Sequence, residues 1–189
     1  MRPAQMWWLL EQQARRRRAR AASAPATAEW LPHEVVGNWW VAGVGASGNW
    51  NAFSLVNPAT VQWMELGYTA VTALVGLQNL TALESLNLTY AYALSEIPAL
   101  PASLTTLQAA YSGLVSIPNV TTSPNLTYIN FRYSPYLEGA DAQKVTLMQQ
   151  LDANGAINGT LDIGSFNTGF PGGNAAIDAL MNKGWEVYV

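Results

Sequence analysis

The sequence predicts an α/β fold: a short solenoid with a parallel sheet, irregular returns and one or two convex helices, preceded by an N-terminal helical arm. Three observations lead there. First, the pattern apolar-x-x-apolar-x-apolar returns five times: Val61/Met64/Leu66, Leu83/Leu86/Leu88, Leu104/Leu107/Ala109, Leu126/Ile129/Phe131 and, more loosely, Asn158/Leu161/Ile163. The starts at 61, 83, 104, 126 and 158 are 22, 21, 22 and 32 residues apart, and a period in the low twenties marks a stacked array of short units. Second, the last two apolar positions of each unit lie two residues apart, which puts them on one face of a strand, with polar or small residues between. Third, Pro98, Pro101 and Pro118 fall between the patterns. Proline has no N–H to give a ladder, so these segments suit the return strokes.

The units from Val61 to Ile163 resemble the leucine-rich repeat family over a little more than half of the chain, and residues 61–189 are expected as the repeat solenoid with its C-terminal capping unit. The likeness is carried by Leu83-Glu84-Ser85-Leu86-Asn87-Leu88 followed by Ile97-Pro98, and by Leu104 followed by Ile117-Pro118. The family usually closes its strand with an Asn, whereas Thr69, Ala91, Ser112, Ser134 and Phe166 stand here. The resemblance implies a binding scaffold with no catalytic residue of its own. Its closing unit of helix, Lys183-Gly184-Trp185 and terminal strand is similar to that of leucine-rich repeat proteins from bacteria and their phages. The run Pro98-Ala99-Leu100-Pro101-Ala102-Ser103-Leu104 resembles bacterial effector repeats.

Taken in order, residues 1–22 are rich in helix formers. Their apolar head, Trp7, Trp8, Leu9 and Leu10, precedes the basic run Arg15, Arg16, Arg17 and Arg18. A secretory signal has the opposite order and a longer apolar core, so an export signal is disfavoured despite Ala24-Pro25-Ala26. Three roles remain for this arm: lying on a membrane surface, binding nucleic acid through its arginines, or docking into a groove on a protein partner. Docking as an assembly anchor is the favoured one, with aromatic residues for affinity and arginines for steering. Residues 23–29, rich in Ala, Ser, Pro and Thr, suit a linker.

Residues 30–60 bring Trp30, Trp39, Trp40 and Trp50 with glycines at 37, 43, 45 and 48. Val35-Val36, Trp39-Trp40-Val41 and Phe53–Val56 are expected as short strands. A cap over the open end of the array is the first reading, a separate binding module the second. In the array itself, the position between the last two apolar residues carries Glu65, Asn87, Gln108, Asn130 and Asp162, a polar column expected on the solvent-facing, concave side. Just after each strand come Tyr68, Tyr90, Tyr111 and Tyr133, replaced by Ser165 in the last unit. The two columns either brace neighbouring units by hydrogen bonds and ring stacking, the favoured account, or form a ligand site. Asp141 to Leu151 has helical spacing, with Gly155 as a stop. A second helix is expected over Asn174 to Asn182, capped by Asn174, and Trp185 to Val189 as an edge strand.

Of the 189 residues half are hydrophobic and only 11% are charged, well under the roughly 25% usual for soluble domains. So apolar a chain, with eight Trp and eight Tyr, suggests surface covered by partners. The net charge of −3 hides an asymmetry, since six of the nine basic residues lie between Arg2 and Arg20. The acidic body speaks against nucleic acid as a partner. No apolar run approaches the roughly 20 residues needed to cross a bilayer. Absence of cysteine excludes disulfides, thiol catalysis and cysteine-ligated zinc. His33 is the single histidine, and no Ser/His/Asp order, phosphate-cradling glycine loop or zinc-helix motif is present. The Asn-x-Ser/Thr triplets at Asn79, Asn87, Asn119, Asn125 and Asn158 carry meaning only on a secretory route. The expectation is therefore a non-enzymatic protein without metal or cofactor. A bacteriophage virion component is expected first, in a capsid, neck or tail, anchored by its arm and compatible with a homo-oligomer. The alternative is a bacterial surface or secreted adhesin or effector that reads host protein or glycan with its concave side.

Overall fold

The protein is described from a computed structural model, which covers residues 33–36, 39–42, 47–51, 58–137 and 139–189. The arm at 1–22, with Trp7, Trp8, Leu9, Leu10 and Arg15 to Arg18, lies outside the described residues. So do the linker at 23–29, Trp30, and the strand expected over Phe53–Val56.

The described chain is α/β, with a mostly parallel sheet and two helices. Its strands are β1 (His33–Val36), β2 (Trp39–Ala42), β3 (Ser47–Asn51), β4 (Trp63–Glu65), β5 (Ala70–Val75), β6 (Ser85–Asn87), β7 (Thr106–Gln108), β8 (Tyr128–Asn130), β9 (Thr160–Asp162) and β10 (Glu186–Tyr188). Its helices are α1 (Asp141–Ala153) and α2 (Gly173–Met181). Eight strands form one sheet in the order β1-β2-β4-β6-β7-β8-β9-β10. Only the β1–β2 pair is antiparallel, and every later pair is parallel. Met64, Leu86, Leu107, Ile129, Leu161 and Val187 are successive register partners. The hydrogen-bond ladder runs on past the three-residue strands. Leu66 N donates to Asn87 O at 2.8 Å, Leu88 N to Gln108 O at 2.6 Å, Ala109 N to Asn130 O and Phe131 N to Asp162 O at 2.8 Å.

The apolar pattern lies inside. Leu86, Leu88, Leu107, Ile129, Phe131, Leu161 and Ile163 are all buried and belong to one continuous core. Between β6 and β7, and between β7 and β8, the returns consist of turns and bends without a helix. Hydroxyls tie these returns to the preceding unit: Ser103 Oγ donates to Leu83 O at 2.8 Å and Ser123 Oγ to Pro101 O at 3.0 Å. At the strand-closing positions, where Asn was missing, Thr69 Oγ1 donates to Leu66 O at 2.6 Å and Ser134 Oγ to Ala109 O at 3.1 Å. A short hydroxyl thus satisfies backbone carbonyls that burial would otherwise orphan.

The later returns are helical. α1 ends at Ala153, with Gly155 at φ +75° just beyond. Lys144 on α1 is fully buried, and its Nζ donates to the Ser165 carbonyl. The second helix differs from expectation: it starts at Gly173, after Gly172 at φ +80°, and Asn174 lies in its first turn rather than at its cap. The left-handed glycine turns the chain into the helix without a side-chain cap. Trp185 is buried and donates from Nε1 to Ala156 O at 3.0 Å. A Cβ on Gly159 would sit 2.5 Å from the Trp185 ring, so the strand passes the indole only with glycine there.

Two features near the N-terminal side were not anticipated. The third described strand is Ser47–Asn51, and it pairs in parallel with β5 in a separate two-stranded sheet. Trp50 from it and Val71 and Leu74 from β5 join the main core, where Trp40 meets Trp50 edge-on at 5.8 Å. Among the described residues no helix is long and apolar enough to cross a membrane.

Candidate functional site

A parallel strand sends alternate side chains to opposite faces, so burying Met64, Leu86, Leu107, Ile129 and Leu161 leaves two rows on the other face. One row is Trp39, Trp63, Ser85, Thr106, Tyr128, Thr160 and Glu186. The second, two residues on, is Glu65, Asn87, Gln108, Asn130, Asp162 and Tyr188. The five members of the polar column expected from the sequence are therefore brought together in register.

That column is not uniformly solvated, which corrects the expectation of a simply solvent-facing strip. Asn87 is buried. Glu65 Oε1 accepts from Gly67 N at 2.8 Å and Oε2 from Asn87 Nδ2 at 2.9 Å. Burial pushes the Glu65 carboxyl up to about 7, against the opposing pull of these two donors. The remaining members mostly serve the backbone two residues ahead. Thr89 N donates to Asn87 Oδ1 at 2.9 Å, Arg132 N to Asn130 Oδ1 at 2.9 Å and Gly164 N to Asp162 Oδ1 at 3.2 Å. Asp162 also pairs with Arg132 at 3.4 Å. Gln108 alone of the five makes no side-chain hydrogen bond among the described residues.

Such local bonds accompany the turns of Tyr68, Tyr90 and Tyr133, while Tyr111 adopts the same turn without one from Gln108. Tyr68, Tyr90, Tyr111 and Tyr133 all have left-handed backbones, with φ of 59°, 63°, 55° and 58°. Their rings stack in one continuous ladder: 4.7 Å and 26° between Tyr68 and Tyr90, 4.6 Å and 13° to Tyr111, 4.7 Å and 22° to Tyr133. Arg132 closes the end, its guanidinium carbon 5.0 Å from the Tyr133 centroid. A left-handed non-glycine residue costs roughly 1–2 kcal/mol, and a stacked aromatic pair returns roughly 0.5–1.5 kcal/mol beyond its area. Strain and stacking are thus of one order, and the rings of Tyr90 and Tyr111 are stacked on both sides. Tyr68, Tyr111 and Tyr133 remain exposed, as does Tyr92 beside Tyr90. Reduced hydration, then the neighbouring Tyr90 and Tyr133, hold the Tyr111 phenol above its ordinary value. In the last unit the left-handed position moves one residue earlier, to Gly164 at φ +64°, and Ser165 contributes its carbonyl to Lys144 instead of a ring.

Sequence reasoning did not single out Trp39, Trp63, Ser85, Thr106, Tyr128 and Tyr188 on the same face. Trp39 and Trp63 stack at 5.0 Å and 18°, and Tyr188 donates to Glu186 Oε2 at 3.2 Å, which raises its phenol. Position two before each polar-column residue was the available signal. Elsewhere, a cleft of about 230 Å³ lies between Ile117-Pro118 and α1, but its amides are engaged: Gln143 and Gln150 accept from Ile117 N and Val120 N at 2.9 and 3.0 Å. No group of three or more His, Cys, Asp or Glu side chains that could hold a metal occurs among the described residues.

Compared with protein-family models, curated proteins and solved structures, the chain matches none of them.

Proposed function

We propose that this chain is a non-enzymatic binding and structural protein, built as a short leucine-rich-repeat-like solenoid whose open sheet face is its recognition surface. The observation that carries this reading is the tyrosine ladder. Four aromatic residues are held in a backbone conformation that glycine or asparagine adopts at lower cost, and the result is a partly exposed aromatic rim beside an in-register polar row. Strain kept at an exposed site is a pointer to function. The parallel register and the 21- and 22-residue spacing support the solenoid. The packing of Trp40 and Trp50 into the core, and of Trp39 on Trp63, supports residues 30–60 as its cap.

The place proposed for such a protein is a bacteriophage virion, with residues 1–22 held by another virion protein and the face displayed. The low charge and the aromatic, arginine-rich arm support it. A surface or secreted adhesin or effector is the second reading, favoured by the exposed Tyr side chains. The test is paired. Gln108→Ala and Asn130→Ala should weaken capture of the partner without lowering Tm, and deletion of residues 1–22 should leave a folded body that no longer enters the assembly. Lowered Tm with unchanged capture would make the columns purely structural, and normal incorporation of the truncated chain would remove the anchor.

A further inference from the structure

The polar groups of the open face are not equally engaged. Towards β4, Glu65 and Asn87 bond each other, and towards β9, Asp162 is paired with Arg132. In the middle, the Ser85, Thr106 and Tyr128 hydroxyls and the Gln108 amide make no side-chain hydrogen bond among the described residues. The row of the three hydroxyl side chains is uneven in size. Trp63 and Tyr128 are large, and between them on β6 and β7 are only Ser85 and Thr106. Three parallel-strand steps separate the two aromatic residues, roughly 14 Å at the usual strand spacing. The result is a trough with aromatic ends, a hydroxyl floor and an amide at its side.

We infer that this trough binds a neutral oligosaccharide lying across β6 and β7 between Trp63 and Tyr128. The inference rests on the reading of the sheet as a recognition face and names its ligand class. Charge is the first reason. The bordering ionic groups are already engaged, Asp162 by Arg132 and Glu84 by Gln62 Nε2 at 3.4 Å, and Glu65 titrates only near neutrality. Among the described residues the trough therefore has no free cation to hold an anionic ligand and no dedicated carboxylate for a cationic one. Hydrogen-bonding chemistry is the second. Hydroxyls and a primary amide both donate and accept, which matches sugar hydroxyls that do the same, while the C–H face of a pyranose packs on an aromatic end. An extended peptide is matched less well. The backbone groups of β6 and β7 are consumed by the ladder, so none is left to pair with a peptide backbone in the way strand addition requires.

The test titrates the full chain with a panel of neutral malto-, cello-, xylo- and chito-oligosaccharides, followed by tryptophan fluorescence and calorimetry at low and high salt. At least one should bind, with an affinity insensitive to salt. Gln108→Ala should weaken it by up to roughly tenfold, the worth of one hydrogen bond, and Thr106→Arg, which fills the trough from a half-buried position on the open side of β7, should abolish it. Circular dichroism melts of both variants should match the parent. Failure of the whole panel, binding that survives Thr106→Arg, or binding confined to a polyanion such as heparin overturns the inference. Capture of a protein partner that depends on Gln108 and Asn130, without oligosaccharide binding, overturns the glycan while leaving the recognition face in place. Loss of both retires both.

Discussion

The middle of the sheet and its C-terminal part solve the same problem with different means. From β4 to β8 the units are 21 or 22 residues long, the returns hold no α-helix, and the turn after each strand of the main sheet carries a left-handed tyrosine. From β8 to β10 the returns lengthen enough to hold α1 and α2, the tyrosine gives way to Gly164, and buried lysine and tryptophan side chains do the bracing. Short returns leave few side chains to pack, so stability there must come from stacking between units: core leucines, hydroxyls on the preceding unit's carbonyls, and the ring ladder. Long returns bring their own packing surface, and the ladder ends where they begin.

The largest expected effect breaks the middle. Leu107 is fully buried between Leu86 and Ile129; Leu107→Ala should cost about 2–5 kcal/mol in chemical denaturation. Next is the C-terminal part, where Gly159→Ala forces a Cβ against Trp185. It should cost about 1–3 kcal/mol, with accelerated hydrogen exchange concentrated in β9, β10 and α2 if the two regions are separately braced. Uniform acceleration across the sheet would erase the distinction.

The left-handed turns sharpen the contrast. Tyr90→Ala removes two stacked contacts and keeps the strained backbone, so it should be destabilising by about 1–3 kcal/mol. Tyr90→Gly should be milder by about 1 kcal/mol, because glycine adopts this φ freely. At Gly164 the order reverses: with no ring to lose, Gly164→Ala should simply cost about 1 kcal/mol. Thermal melts of the three variants decide it.

Much of this was legible in the sequence. The recurring apolar triplets located β4 and β6 to β9 and their core, helical spacing at Asp141 to Leu151 located α1, and four tyrosines at unit spacing implied a stack. What escaped notice depended on pairing or on backbone. β5 is a strand because Ser47–Asn51 lies beside it, and Ser-Gly-Asn-Trp-Asn has little strand propensity of its own. Nothing in a tyrosine announces a positive φ. Asn87 looked solvated because its spacing matched Gln108, but Glu65 covers it, a contact between residues 22 apart. The Trp63–Ser85–Thr106–Tyr128 trough emerges only once the register is fixed. α2 began at a glycine turn because Pro171-Gly172 had already redirected the chain, leaving Asn174 no cap to make.

A separate effect expected is a pH dependence. The Glu65 carboxyl is raised to about 7 from an unfolded value of 4.5, so between these limits the unfolded chain releases a proton that the folded chain keeps. Glu65 should therefore make stability fall as pH rises from about 4.5 to about 7 and contribute no further slope above that. Comparing the parent with Glu65→Gln isolates this: the variant should lose that component, and an identical pH profile would remove Glu65 from the account.

The parallel register underlies the rows, the ladder and the trough, and a cysteine-free chain lets it be read by crosslinking. Ser85 and Thr106 are register partners on the open face, at a separation of roughly 5 Å that a disulfide can span. Ser85→Cys with Thr106→Cys should oxidise readily to an intramolecular disulfide in the folded chain, while Ser85→Cys with Tyr128→Cys, one strand further, should not. Efficient closure of the second pair and failure of the first would contradict the register.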